Sequence, residues 1–571
     1  MYFEVERVER QLKELSGLIY REPVKIKSCS MKKGDFQSFE EAHGDDELWT
    51  DFICGESHWG DPDSRYWFRI EIAIPENFHE EEVVFHLNTG VEETLEWDLS
   101  RNPQCLIRIN GDIAQGFDIN HYRTVLTDKA AGGEVYSVDV QAYSGFGKHH
   151  VEFIPSISLF ERKTEQLYFD IQVPLEVAKR LDENDKRRID LLRDLNDAVS
   201  LIDFRKAYSH DYYSSVDESI EFLEDILYGD EGRKEAYTAT CVGHTHIDVA
   251  WLWDLKQTRE KVCRSFSTVF NLMEEYPEYI FMSSQPQLYK FMKESQPLLY
   301  EKIKKKVKEG KFEAEGAMWV EADCNLSSGE SLIRQILSGT RFFRDEFGVE
   351  NKILWLPDVF GYSAALPQIL CQFNIEYFMT TKISWNEYNK MPYDTFKWEG
   401  IDGSEVLTHF VTATDYEKEN KINTFTTYNG MIDANHIMGA WQRYQQKDIN
   451  DDILICYGYG DGGGGATRDM LETAKRMGRG IPGCPTVKLD SAGNYFRKLK
   501  NTVEQKKRLP RWVGNSISST IGELIRPWQK TRSTTASLNS SFRMPSFCLF
   551  LQKRPGHCRI TRRRNSTLDG S

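Results

Sequence analysis

The sequence predicts an α/β protein: a seven-stranded parallel β/α barrel, preceded by an antiparallel β-sandwich and a helical connector. Three observations carry this. From Ala236 onward, short apolar runs alternate with long amphipathic stretches, the rhythm of a parallel sheet or barrel. Between Tyr66 and about Val173 the chain breaks into short alternating segments separated by turn residues, as antiparallel strands do. The region between them is charged and has helical spacing.

Taken in order, residues 1 to about 25 place Val5, Val8, Leu12, Leu15 and Leu18 on one helical face, and residues 1–60 are expected to be helical or irregular. Residues 61–174 form the sandwich, with WFRIEIAIP, EVVFHLNTG, CLIRINGD, EVYSVDVQAYSG, HVEFIPSISLFE and LYFDIQV as its segments. Residues 175–235 are the helical connector. Residues 236–500 form the barrel, whose strands number seven or eight among the candidates Thr238–Gly243, Tyr279–Ser284, Phe312–Val320, Lys352–Leu356, Tyr377–Thr381, Val406–Phe410, Ile453–Tyr457 and Thr486–Leu489. Helices such as Gln287–Lys308 and Gly329–Glu346 lie between them. Residues 501–514 read as the start of a further helical domain.

Composition narrows the function. A net charge of −16 argues against nucleic acid as a general partner, which needs a basic footprint. Eleven cysteines, an odd number with no C-x-x-C pair, fit reduced thiols in a cytoplasm rather than a disulfide framework. The charged N-terminus has no apolar signal region, and no apolar run reaches membrane-spanning length, so a cytoplasmic protein with no membrane partner is expected. Aromatics make up 12% of residues, with 13 Trp and 26 Tyr, enough to line a sugar site as well as a core.

The informative residues are those just beyond each candidate strand. The first strand runs into HTHID, with His246 and Asp248 two apart, a reasonable zinc pair. The third reaches Asp323 through WVEAD; the fourth carries Asp358 in LPDVFGYS; the fifth carries Trp385 in TKISWN; the seventh carries Asp461 in YGYGDGGGG. In such folds the carboxyl ends of strands hold the active site. Acids around one mouth can bind a metal, and a pair of them can cleave a glycosidic bond, one protonating the leaving oxygen while the other attacks or activates water. Trp251 and Trp385 would wall a sugar ring, whereas Trp253 belongs to the core and His244 to the support of the site. The glycines after Asp461 let a ligand approach closely and are no phosphate loop, since no Gly-Lys-Ser/Thr comes after them.

From about His244 to Trp512 these stretches (HTHIDVAWLW, WVEADCN, LWLPDVFGYS, TKISWN and GDGGGG, in order) resemble glycoside hydrolase family 38, the zinc-dependent α-mannosidases, and in particular its cytosolic-type branch. The N-terminal β-rich region also resembles that branch. The resemblance implies His246 and Asp248 as metal ligands, and Asp323 as both retaining nucleophile and ligand. It also implies Trp251 as the wall of the mannose subsite and Asp358 as a polar contact to the sugar, with Asp461 the candidate general acid. One divalent ion, zinc or alternatively cobalt, would grip the vicinal hydroxyls of the terminal mannose of an α-mannoside oligosaccharide. Retention places the two carboxyl groups roughly 5–5.5 Å apart. The full-length form of such a protein can be an oligomer. Three readings compete: a mannosyl-glycerate or phosphomannoside hydrolase of the same family, a metal-dependent polysaccharide deacetylase, and a carbohydrate-binding pseudoenzyme.

The chain departs from the family in one respect. The family's fourth ligand is a histidine in a His-Asp motif after the barrel, and beyond Asp323 the histidines here are His409, His436 and His557, none in that setting. After Gly514 the family continues with text like ELYLEYHRGTY. One restored base ahead of codon 515, with permitted codons for Asn515–Ile525, yields that string. Residues 515–571 are therefore expected to be an out-of-frame, disordered tail, its Arg-rich segment LQKRPGHCRITRRR carrying no nucleic-acid function, and the chain is expected to be impaired as an enzyme.

Overall fold

The computed structural model describes residues 3–517 apart from 37, 45–47, 91–102, 147–150, 230–234, 387 and 419–424. These residues fall in a compact unit spanning Met1–Ile525. Nearly all of the expected tail, including the Arg-rich segment at 551–564, lies outside the described residues. Among the described residues no helix is long and apolar enough to cross a membrane.

The first helix is Glu4–Ser16, burying Val8, Leu12 and Leu15; Gly17 caps it, and the chain is extended again over Tyr20–Lys25 and Ser28–Lys33. Helical text to about residue 25 was expected, but the apolar spacing runs on past Gly17 into a strand. The sandwich therefore begins near Tyr20 rather than at 61. One antiparallel sheet runs Thr50–Ile53, Ser28–Lys33, Arg65–Ala73, Val135–Tyr143, Gln104–Ile109, Asp112–Phe117. The other runs Tyr20–Lys25, Ile154–Phe160, Val83–Asn88, Arg123–Thr127. The early strands escaped the sequence reading because they are polar and show no alternation of buried and exposed residues. Inward-facing Phe68, Ile70, Phe85, Val138 and Phe153 fill the core, with Phe68 and Phe153 stacked at 3.9 Å between ring centroids.

LYFDIQV is not a strand. It lies in the helix Arg162–Arg180, which buries Leu167, Phe169, Ile171, Val173, Leu175 and Val177. A helix covered on more than one face shows apolar residues at alternate positions, and so mimics a strand. Lys186–Leu201 and His210–Leu223 come next as the connector, ending in one π-helical turn, Glu224–Tyr228.

The C-terminal half is built on parallel strands. Thr238–His244 is central, pairing in parallel with Asp452–Tyr457, Phe281–Ser283 and Thr486–Leu489, while Phe281–Ser283 pairs with Phe312–Ala314. A second sheet runs Ile353–Trp355, Tyr377–Thr380, Glu405–Phe410, Thr395–Glu399, Arg511–Val513. Isolated parallel bridges join Gly316 to Leu354 and Gly430 to Tyr457.

Several elements differ from expectation. The strand from Phe312 ends at Ala314, because Gly316 (φ 134°) and Ala317 (φ 67°) turn the backbone out of the extended region. Gln287–Lys308 is two helices, Pro286–Ser295 and Pro297–Lys308, since Pro297 lacks the N–H a continuous helix needs and instead opens the second. Thr395–Glu399, antiparallel to its neighbour, was not foreseen. Residues 511–513 form an edge strand after the helix Ala492–Lys506 rather than starting a helical domain.

The helix Leu255–Glu275, capped by Asp254, is buried along its length between the sandwich and the parallel sheet. A Cβ on Gly116 would come within 2.7 Å of Arg264 O, so glycine is required where the strand Asp112–Phe117 crosses this helix.

Candidate active site

The strand Thr238–His244 delivers the site. A side chain at Gly243 would lie 2.6 Å from Ile280 O, so this position must be glycine for the neighbouring segment to close on it. Beyond it the Thr245 hydroxyl donates to Tyr459 O at 2.7 Å, tying this exit to the loop after Asp452–Tyr457.

His246 is 3% exposed. Its Nε2 stands 3.6 Å from Asp248 Oδ1 and 3.8 Å from Asp358 Oδ2, and its Nδ1 stands 3.0 Å from Glu321 Oε2. One donor atom from each of His246, Asp248 and Asp358 lies within 4.8 Å of the others, the group among the described residues placed to hold a metal ion. The donors fit one. Four ligands at about 2.1 Å around a tetrahedral ion stand roughly 3.4 Å apart. The buried Nε2, moreover, has no hydrogen-bond partner among the described residues. Imidazole with carboxylates suits zinc or a similar borderline divalent ion.

Burial pulls the His246 imidazolium down, but the charges of Glu321 and Asp248 outweigh it and lift its pKa well above the usual range. Asp248 is raised by its own burial and by the nearby Asp358 and Asp461 carboxylates. Burial raises Glu321 also. A concentration of acids around one cation of the protein's own is what a site for a second cation looks like.

Asp461 lies beside this group. It sits at φ 61°, and its carbonyl accepts the Asp248 N–H at 3.0 Å. Its Oδ1 accepts the Tyr428 hydroxyl at 2.7 Å and the Asn429 amide at 3.3 Å. Asp323, expected as third ligand and nucleophile, is not in the His246–Asp248–Asp358 group. Its Oδ1 accepts the N–H groups of Asn325 (2.9 Å) and Leu326 (2.6 Å), a local turn bond. Asp358, expected as a sugar contact, stands in that group instead. Trp251 is half exposed and edge-on to buried Trp253 at 5.8 Å. Trp385 donates Nε1–H to Thr426 O at 2.8 Å. His244 is a supporting residue, accepting Trp355 Nε1–H at 3.2 Å and kept neutral by burial, which lowers its pKa to about 3.

Three site residues escaped the sequence reading. Glu321 pairs its charge with His246, and its other oxygen accepts the Ser284 hydroxyl at 3.0 Å. It lies inside WVEAD, two before Asp323, and its placement at a strand exit was the available signal. Lys382, within TKISWN, sits against Asp358. Tyr428, reaching Asp461, lies in a stretch that no motif marked.

Residues 236–515 match the model for the glycosyl hydrolases family 38 N-terminal domain, and residues 21–172 match the alpha-mannosidase jelly roll domain. The chain is 32% identical over 486 residues to Alpha-mannosidase G of Dictyostelium discoideum, covering 82% of this chain and 42% of that one. It is 33% identical over 467 residues to human Alpha-mannosidase 2C1, covering 78% and 42%. To the Alpha-mannosidase of Saccharomyces cerevisiae it is 30% identical over 485 residues, covering 79% and 42%. It thus spans less than half the length of the curated relatives it matches. The strand exits, the cation-sized gap beside His246 and the two matched domains lead to one statement: the chain belongs to glycoside hydrolase family 38.

Proposed function

We propose that this chain carries the metal site and sugar-binding mouth of a cytoplasmic α-mannosidase, one that releases terminal α-D-mannose from oligosaccharides with retention of configuration. The observation that carries the proposal is the unbonded His246 Nε2 between Asp248 and Asp358, inside the family 38 region. In this reading the two isolated bridges carry the sheets around into a seven-stranded barrel, with every site residue at one mouth.

Zinc, when bound, would polarise the vicinal hydroxyls of the mannose. The chain's own residues do the rest. Glu321, whose carboxylate approaches Nδ1, leaves Nε2 as the nitrogen on the side of Asp248 and Asp358. Asp323, one oxygen held by two backbone amides, presents the other to the anomeric carbon. Asp461 delivers the proton to the leaving oxygen, its position set by Tyr428. Trp251 and Trp385 wall the ring.

The test is metal content with hydrolysis of a nitrophenyl α-mannoside by the purified chain. Bound zinc, with slow hydrolysis that chelation abolishes, supports the reading; absence of metal uptake at millimolar zinc sinks it.

A further inference from the structure

The loop that carries Asp461 is clasped from two sides. From its own half of the molecule come Thr245 Oγ1–H to Tyr459 O (2.7 Å), Asp248 N–H to Asp461 O (3.0 Å) and Gly464 N–H to Ser265 Oγ (3.0 Å), besides the Tyr428 and Asn429 bonds to the Asp461 carboxylate. The other clasp comes from the sandwich. His121, 3% exposed, points Nε2 at Ala466 O at 2.8 Å and Nδ1 at Asp118 Oδ1 at 3.0 Å. Both nitrogens face acceptors, so the ring carries a proton on each. Asp118 Oδ1 is itself fixed by the N–H groups of Asn120 (2.8 Å) and His121 (2.9 Å). Gly464 lies beside the pair: a Cβ there would lie 3.6 Å from His121 Cε1 and 3.7 Å from Asp118 Oδ2.

We propose that Asp118 and His121 are positioning residues contributed by the sandwich. By gripping Ala466 they fix the glycine loop, and through Asp461 O they fix the backbone of Asp248 at the cation site. The physical case is one of continuity. The loop has glycines at 462–465, of which three (Gly463, Gly464, Gly465) have positive φ, and glycine backbone has the most freedom to lose. A charge-assisted bond to the carbonyl at its end is the sort of restraint such a loop needs. This proposal rests on the reading that His246, Asp248 and Asp358 form a cation site, and its test separates the two.

The experiment is amide hydrogen exchange by mass spectrometry on the full chain, comparing wild type with His121→Ala, His121→Gln and Asp118→Asn, alongside zinc affinity by competition with a chromogenic chelator. The expected result for His121→Ala is at least tenfold faster exchange over 459–466 and over the peptide containing Asp248, with strands 65–73 and 135–143 unchanged. Zinc binding should weaken about tenfold, the lower end for loss of a residue behind the ligands. His121→Gln keeps an N–H donor near Ala466 O and should restore most of both, with Asp118→Asn falling between. Unchanged exchange in the loop overturns the proposal. So does faster exchange spread evenly through the sandwich, which is a merely structural role, or a loosened loop with zinc affinity intact. If wild type takes up no zinc, the cation reading fails, and exchange at Asp248 alone decides the clasp.

Discussion

Lys382 Nζ stands 2.8 Å from Asp358 Oδ1, with the Trp385 ring centroid 3.6 Å from the ammonium. Lys382 is buried, and the Asp358 it pairs with also acts on the Asp248 and Glu321 carboxylates. It is a second fixed cation, beside His246, at the edge of this group of acids. Lys382→Met should lower stability by about 3 kcal/mol in chelator, the size expected when one partner of a buried pair is removed. Saturating zinc should recover much of that loss, since about a hundredfold excess over Kd contributes about 2.7 kcal/mol. Denaturant midpoints with and without zinc check this; an equal shift in both conditions would show that Lys382 does not share the acids with a metal.

Asp358 and Asp323 compete for the place of third ligand, and metal stoichiometry separates them. Asp358→Asn should lose zinc by tenfold or more in affinity, whereas Asp323→Asn should retain it and abolish turnover. The reverse pattern, measured by metal analysis after dialysis, would return Asp323 to the ligand set and leave Asp358 to the sugar.

The Asp118–His121 pair makes stability depend on pH at both ends. Burial lowers His121, but the Asp118 charge outweighs it and raises its pKa, so its contribution is full below about pH 6.5 and is lost as pH rises through the raised folded value. Burial pushes Asp118 up, but His121 and two backbone N–H groups bring it below the usual range, so its contribution is present above about pH 4 and is lost as pH falls through the lowered folded value. Arg468, nearby, opposes the His121 charge, while the neighbouring Asp469 interacts favourably with it. Thermal midpoints between pH 6 and 9 should fall more steeply for wild type than for His121→Gln, and parallel curves would refute the pair.

Trp251 is half exposed. Trp251→Ala should change stability by no more than about 0.5 kcal/mol, as exposed positions do. It should weaken binding of a mannose-mimicking imino sugar at least tenfold. Unaltered affinity by calorimetry would move the sugar elsewhere.

How much of the fold and site was legible in the sequence depended on how local the signal was. His246 and Asp248 were legible because two ligand types sit two apart at the end of an apolar run. Glu321 was hidden by its neighbour, since WVEAD offers two acids and the sequence does not say which one turns toward His246. Asp461 was recognisable, whereas its clasp was not: His121 lies 345 residues from Ala466, and only folding brings the two together. The parallel strands stood out as short apolar runs between amphipathic stretches, but Ser28–Lys33 and Thr50–Ile53 are polar strands with no alternation to detect. LYFDIQV failed for the opposite reason, its buried Leu167, Phe169, Ile171 and Val173 alternating like a strand on a helix covered on more than one face.

The helix Leu255–Glu275 has a practical corollary for anyone cutting this gene. Its polar groups are satisfied across the boundary between the matched domains: Lys261 and Arg264 by Gln104, Thr268 by the carbonyl of Gly116, Asn271 by Gln115. A plasmid beginning at Ala236 would leave a stripe of stranded charges and hydroxyls on the outside of an otherwise apolar wall. Such a fragment should collect in inclusion bodies, and the family 38 half must travel with its sandwich.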